Sequence, residues 1–296
     1  MRVLVTGSAG FLGRHFIERL ADDGHDVTGV DIVDGMDALA YFRYCGTAPS
    51  LVVHCAAVHP HRSAIDSTPL MVGAGNLELD AAMFQWATRT KPGRVVYFSS
   101  SAAYPVDLQN DFATAVPLAE TALRAGRYNI GRPDGSYGWV KLTGEQMADW
   151  YRKQGGRVTV VRPFSGYGED QSADFPFGAF RDRARRREVP FVIWGDGEQV
   201  RDWIHVDDVV AGTLAAVDHE MDGPLNLCTG VGTSMRELAE MFCRRAGHAP
   251  GFEFKRDAPA GVAYRVGDPT RLHEVYTPKV TIEEGVRRAL RVHVPA

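Results

Sequence analysis

Residues 1–31 read MRVLVTGSAGFLGRHFIERLADDGHDVTGVD, and this stretch decides the fold. Val3–Thr6 is a short apolar run that predicts a strand, Phe11 to Asp22 carries helical spacing, and Asp26–Asp31 predicts a second strand. Gly7, Gly10 and Gly13 stand as G-x-x-G-x-x-G between the first strand and the first helix. Glycine allows a tight turn and lets backbone N–H groups approach a pyrophosphate, and the helix N-terminus adds partial positive charge. Asp31 closes the second predicted strand 18 residues after Gly13, where an acid accepts hydrogen bonds from a ribose diol. The next residues, Ile32, Val33 and Asp34, include no Arg to hold a 2′-phosphate, so the pattern predicts NAD in preference to NADP.

The alternation continues outward. A short helix is expected near Ala38–Tyr44, strands at Leu51–Cys55, Arg94–Phe98 and Arg157–Val161, and helices at Asn76–Arg89 and Tyr137–Tyr151. Continuous apolar strands alternating with helices imply an α/β fold with a parallel sheet covered on both faces. After Pro163 glycines, aromatics and arginines cluster from Ser165 to Arg201, which predicts a loop-rich cap, with the basic run Arg181, Arg183 and Arg185–Arg187 as a solvated helix face. Beyond it a helix is expected at Val206–Val217, a last strand at Pro224–Cys228, and a helix at Ser234–Ala246 opened by Ser234 and Glu237.

Composition narrows the class. The chain has 296 residues, 45% hydrophobic and 24% charged, enough for a large buried core. Its net charge of −4 argues against a nucleic-acid partner, and no apolar run is long enough to predict a membrane span. The N-terminus does not read as a signal peptide, and the four cysteines form no C-x-x-C pair, so a reducing cytoplasm is the expected location.

Tyr137 and Lys141 are four apart in a helical pattern and share one face. A phenol ionises near pH about 10, and an adjacent ammonium together with a nicotinamide cation would favour phenolate, making Tyr137 a general base. Lys141 is also placed to hold the nicotinamide ribose. Ser99–Ser100–Ser101 follows the strand RVVYF, and side chains there point into the crevice where open α/β sheets bind ligands.

With these pieces in place the chain resembles the extended short-chain dehydrogenase/reductase family, in particular its nucleotide-sugar epimerases and dehydratases. The matching stretches are TGSAGFLG (6–13), Asp31, HCAA (54–57), SSSAAYP (99–105), YGWVK (137–141), RPFSGYGE (162–169), RDWIHVDDV (201–209) and NLCTG (226–230). The resemblance implies a Rossmann-like doubly wound sheet with a smaller C-terminal substrate-binding domain: residues 1–163, joined by about 202–230, for NAD, and 164–201 with 231–296 for substrate. It implies Tyr137 as base, Lys141 as its partner and Ser100 as the hydroxyl relay, with Ser101 as second choice and a substrate contact. NAD is expected against Gly7, Gly10, Phe11, Leu12, Gly13, Asp31, Ile32, Ala56, Ala57 and an Asn76 that opens a helix. Arg201 and Arg265 are expected at the substrate phosphates, Ser165 nearby, and His59 and Arg62 on a phosphate or a uronate carboxylate. No metal is implied, and a homodimer through the two helices carrying Asn76–Arg89 and Tyr137 is.

The departures decide between reactions. Pro105 replaces a usual Gly, Ser165 a common Asn, and the segment from Asp31 to Leu51 is short, so one family strand is abbreviated or missing. Dehydratases of the family carry an Asp–Glu pair just after the relay hydroxyl; Ser101 and Ala102 stand there and cannot transfer protons in that way. The cysteines lie outside the motifs that double epimerases use. The expectation is an NAD-dependent nucleotide-sugar 4-epimerase on a UDP-hexose or UDP-hexuronate, working through a 4-keto sugar. The alternatives are a 4,6-dehydratase, a uronate decarboxylase, a 4-keto-sugar reductase, or a dinucleotide-sensing binding protein without turnover.

Overall fold

A computed structural model describes residues 1–58, 67–123 and 131–291. Its centre is a parallel sheet of six strands: β1 (Arg2–Thr6), β2 (Asp26–Val30), β3 (Leu51–His54), β4 (Arg94–Phe98), β5 (Val158–Pro163) and β9 (Pro224–Leu227). The spatial order is β2-β1-β3-β4-β5-β9. Thr6 pairs with Val30 on one side and His54 on the other, so the C-terminal ends of β1, β2 and β3 lie level. Gly7, Asp31 and Ala56 therefore open on one rim, at the point where the chain switches from one side of β1 to the other.

Burial explains the elements. Helices α1 (Phe11–Asp22) and α6 (Val206–Asp218) cover one face, packing Phe16, Leu20, Val209 and Val210 against Val3, Val5, Val53 and Val161. Helices α2 (Ala38–Tyr44), α3 (Pro69–Thr90) and α4 (Gly135–Lys153) cover the other, where Phe42, Met83, Trp86 and Ala148 meet Leu4, Val52, Val95 and Val160. The strands are buried on both sides, which is why they read as unbroken apolar runs. The expected shortage of a strand is met: residues 31–50 form a 3-10 turn and α2, so β2 is the sheet edge.

A second body gathers around β8 (Val200–His205), which pairs with β6 (Ser165–Tyr167), β10 (Gly232–Ser234) and β12 (Tyr264–Arg265); β7 (Phe191–Trp194) pairs with β11 (Phe252–Lys255). Its core joins Phe177, Phe180, Trp203, Leu238 and Phe242 from α5 (Pro176–Arg186), β8 and α7 (Met235–Arg245), with Val286 from α8 (Ile282–Arg291). The capping box of Ser234 and Glu237 is present at the start of α7. Residues 165–201 are not loop-rich: they hold β6, α5, β7 and the start of β8. The basic run is not merely solvated either. Arg181 is buried and donates to the carbonyls of Glu169 and Gln171, Arg183 to that of Val192, and Arg187 to those of Ala246 and Gly247. These guanidiniums satisfy carbonyls of a loop, of strand β7 and of a helix end. Among the described residues no helix is long and apolar enough to cross a membrane.

The two bodies are joined at His205, which is buried between carboxylates. Its Nε2 lies 3.1 Å from Glu169 and its Nδ1 3.3 Å from Asp207, which Arg288 of α8 also holds at 3.0 Å. Burial pushes the imidazole down, but the two carboxylates outweigh it and raise His205 from 6.5 to about 9. A raised pKa stabilises the fold fully below the unfolded value and is lost as pH climbs through the folded one. Unfolding free energy should fall by on the order of 2 kcal/mol between pH 6.5 and about 9, and His205→Asn should flatten that slope in urea titrations.

Candidate active site

The glycine turn is built by steric exclusion. Gly7 has φ +67°, and a Cβ there would stand 2.6 Å from the Ala56 nitrogen, backbone that cannot yield. A Cβ on Gly13 would collide with the Gly7 carbonyl. At Gly10, the N-cap of α1, a Cβ would meet only the Gly7 oxygen at 3.1 Å. The first turn of α1 has no acidic residue, so its positive end is unopposed there. Asp31 sits across the turn, where Oδ2 accepts from the Ala9 N–H and Oδ1 from the Val33 N–H, both at 3.0 Å. Each oxygen keeps a lone pair for a further donor. Phe11 lies against Gly168 of the second body, Leu12 packs on the core, and Ile32 is exposed beside Asp31.

Asn76 differs from expectation. Helix α3 begins at Pro69, so Asn76 lies inside it, fully buried. Its amide donates to the carbonyls of Val58 (2.7 Å) and Val72 (2.8 Å) and accepts from the Val58 N–H (3.0 Å). Asn76 thus pins the loop carrying Ala56 and Ala57 to the helix. His59 and Arg62 lie outside the described residues.

Further along the same rim, beyond Cys55 at the end of β3, Tyr137 and Lys141 share the inner face of α4. Lys141 is buried, its Nζ 5.5 Å from the Tyr137 ring and 5.2 Å from the Tyr97 ring. Burial raises Tyr137 above the ordinary phenol value; Lys141 pulls it down and Asp80 pushes it up. Lys141 alone therefore does not make Tyr137 a base near neutrality.

The three serines divide into different environments. Ser99 donates to Glu145 at 2.5 Å, and Arg162 grips the same carboxylate through Nε (2.7 Å) and Nη2 (2.6 Å). Arg162 also donates to the Tyr104 hydroxyl, which donates to Asn226 of β9. Ser100 Oγ accepts from the Ala102 N–H at 3.1 Å, capping the 3-10 turn Ser101–Ala103 and leaving its proton to donate. Ser101 is buried in that turn, whose Ala102 carbonyl accepts from the Asp134 N–H at the start of α4.

The two expected phosphate ligands meet in space. Arg201 on β8 and Arg265 on β12 are direct register partners of parallel strands. Arg201 donates to the carbonyls of Val200 and Ala260; Arg265 is held by Gln109 (2.5 Å) and Asp134 (2.8 Å). Ser165, on β6, flanks β8 on its other part, opposite Trp203. Asp134 and Asp80 were not singled out from sequence. Asp80 had a signal: it follows Asn76 by one helical turn in the stripe that continues to Phe84 and Ala87, a carboxylate on an apolar face. Among the described residues no group of three His, Cys, Asp or Glu could hold a metal ion.

Comparison with known proteins fits this geometry. The model of the NAD dependent epimerase/dehydratase family matches residues 3–228. The dTDP-4-dehydro-6-deoxy-D-allose reductase of Streptomyces bikiniensis is 27% identical over 313 residues, covering 92% of this chain and 90% of its own. The UDP-glucose 4-epimerase of Thermotoga maritima, solved with UDP-glucose, is 25% identical with a TM-score of 0.82 over 98% of both chains. That of Thermus thermophilus, solved with NAD, is 25% identical with a TM-score of 0.80 over 99% of this chain and 100% of its own. The chain belongs to the NAD-dependent epimerase/dehydratase family, Rossmann-fold enzymes that act on nucleotide sugars as epimerases, dehydratases, decarboxylases and reductases.

Proposed function

We propose that the protein is a nucleotide-sugar 4-epimerase. The observation that carries the reading is the pairing of Arg201 with Arg265 in one register position, with Arg265 bonded to Asp134 at the start of the helix that carries Tyr137 and Lys141. Two neighbouring guanidiniums suit a diphosphate, which both can bind bidentately. In this reading residues 1–163 with about 202–230 hold NAD, and 164–201 with 231–296 hold the nucleotide. A homodimer would cover the exposed Leu70 and Met71 on α3 and Trp139 and Trp150 on α4.

The NAD cradle fits the residues present: the glycine turn has no room for side chains at Gly7 and Gly13, and Asp31 offers open lone pairs to a ribose diol. Bound NAD would supply the hydride acceptor and donor for oxidation at C4 and re-reduction, and its positive charge would favour the phenolate form of Tyr137. The C4 hydroxyl proton passes to the Ser100 hydroxyl, or to Ser101 in its place, as that serine gives its own proton to Tyr137, and it returns by the reverse of this route. Lys141, 5.5 Å from the Tyr137 ring, pulls that phenol toward its ionised form. Ser101 and Ala102 offer no acid–base pair for eliminating water, which favours epimerisation over dehydration.

The likeness to a 4-keto-sugar reductase supports a second reading, in which NADPH is exchanged at each turnover. Denaturing release of cofactor from the purified protein separates the two. Stoichiometric NAD supports the epimerase, and an empty protein that takes up NADPH supports the reductase. Tyr137→Phe should lower epimerisation of UDP-sugars about 10²–10⁴-fold while leaving NAD content unchanged; retained turnover would remove Tyr137 from the mechanism. Gly10→Ala should fold normally yet lose NAD affinity about tenfold or more, whereas Gly13→Ala should cost about 1–3 kcal/mol of stability, read by calorimetric titration and urea unfolding.

A further inference from the structure

Beneath the Tyr137–Lys141 pair lies a polar cluster that the proposed chemistry does not use. Asp80 on α3 is fully buried against the sheet. Its Oδ2 accepts from the Tyr97 hydroxyl at 2.7 Å, and its Oδ1 lies 3.4 Å from His54 Nε2. Among the described residues neither Oδ1 nor that Nε2 has a hydrogen-bond partner. His54 Nδ1 in turn lies 2.7 Å from the hydroxyl of Thr6, the residue before Gly7. The cluster therefore runs from the glycine turn, through β3 and β4, to the underside of α4.

A buried carboxylate is costly unless its charge is matched. Tyr97 supplies a hydrogen bond but no charge: burial and Asp80 push its phenol far above the ordinary range, so it stays a donor. Over the Tyr97 ring, 5.2 Å from its centre, sits the Lys141 ammonium. Burial pushes the Asp80 carboxyl up, yet Lys141, His54 and Tyr97 together hold it below the usual carboxylate range. The titratable groups facing this carboxylate and its neighbours are His54 from β3, Cys55 just after it, Tyr97 from β4, and Tyr137, Lys141 and Glu145 from α4.

We propose that Asp80 is a positioning residue for the Tyr137–Lys141 pair: its buried carboxylate is the counter-ion against which the Lys141 ammonium is held between the Tyr97 and Tyr137 rings. The proposal rests on the reading of Tyr137 and Lys141 as the proton-handling pair. It gives Asp80 two effects of opposite sense. The carboxylate keeps a charged lysine in a dry place, and it also opposes the phenolate, so Tyr137 ionises at a higher pH than Lys141 alone would set.

The test is an alkaline titration of tyrosinate absorbance on the purified full chain without sugar, with the Tyr137→Phe protein subtracted to isolate Tyr137. In Asp80→Asn, whose amide oxygen still accepts from Tyr97, the Tyr137 transition should move down by about one pH unit or more. An unmoved transition in a folded Asp80→Asn protein overturns the proposal. Where Asp80→Asn alone does not fold, the Asp80→Asn/Lys141→Met double variant decides. Recovered folding shows that the stranded lysine was the fault and supports the pairing, whereas continued failure assigns Asp80 to packing and overturns it. Because the readout needs no substrate, it stands whether or not any UDP-sugar is epimerised; a failed sugar panel sinks only the epimerase reading.

Discussion

The active-site rim depends on the bidentate pairing of Arg162 with Glu145. Glu145 follows Lys141 by one helical turn on the inner face of α4, and Arg162 stands on β5, so the pair fixes both the rotation and the height of that helix over the sheet. Both side chains are almost wholly buried, and losing one would strand the other's charge at a cost of about 3–5 kcal/mol. The same two residues hold Ser99 and Tyr104, and through Tyr104 they reach Asn226 on β9. Helix α4 can sit this close only because Gly144 has no side chain: a Cβ there would strike the Tyr97 hydroxyl, the group that donates to Asp80.

Charge is distributed accordingly. The chain is acidic overall, yet the cations Lys141, Arg201 and Arg265 stand at the rim, each beside a polar group that orients it. Arg265 is partly neutralised by Asp134 at the mouth of α4, so in the proposed function an incoming diphosphate would compete with a carboxylate already in place. Such competition disfavours weakly charged ligands more than doubly charged ones, which is a form of selection.

Much of this was legible in the sequence. Phe11–Asp22, Ala38–Tyr44 and Arg94–Phe98 have the bounds their apolar spacing predicted, because local pattern and burial agree there. The start of α3 was hidden, since Gly73 and Gly75 make residues 69–75 read as loop. Of helix α5 the basic run was legible as a helix face but its buried side was not, because Phe177, Phe180 and Ala184 form a narrow stripe among arginines whose partners are carbonyls of other elements. The site divides in the same way. The glycine turn, Asp31, Tyr137 and Lys141 form local patterns, whereas the meeting of Arg201 with Arg265 and of Asp134 with Arg265 depends on strand register and loop closure, which no short motif records.

The position of β9 carries a consequence for how the chain is made. It pairs with β5, from Val160–Pro224 to Pro163–Leu227, yet the whole run from β6 through α6 is synthesised between them. Until residue 227 has left the ribosome, β5 presents a bare edge of backbone donors and acceptors, with only α-helices on its faces to shield it. Parallel pairing across so long a separation is slow, and a bare strand edge recruits other strands. The interval between these two strands is thus the period in which a nascent chain is most exposed to aggregation, and a truncation ending before Pro224 would make that exposure permanent.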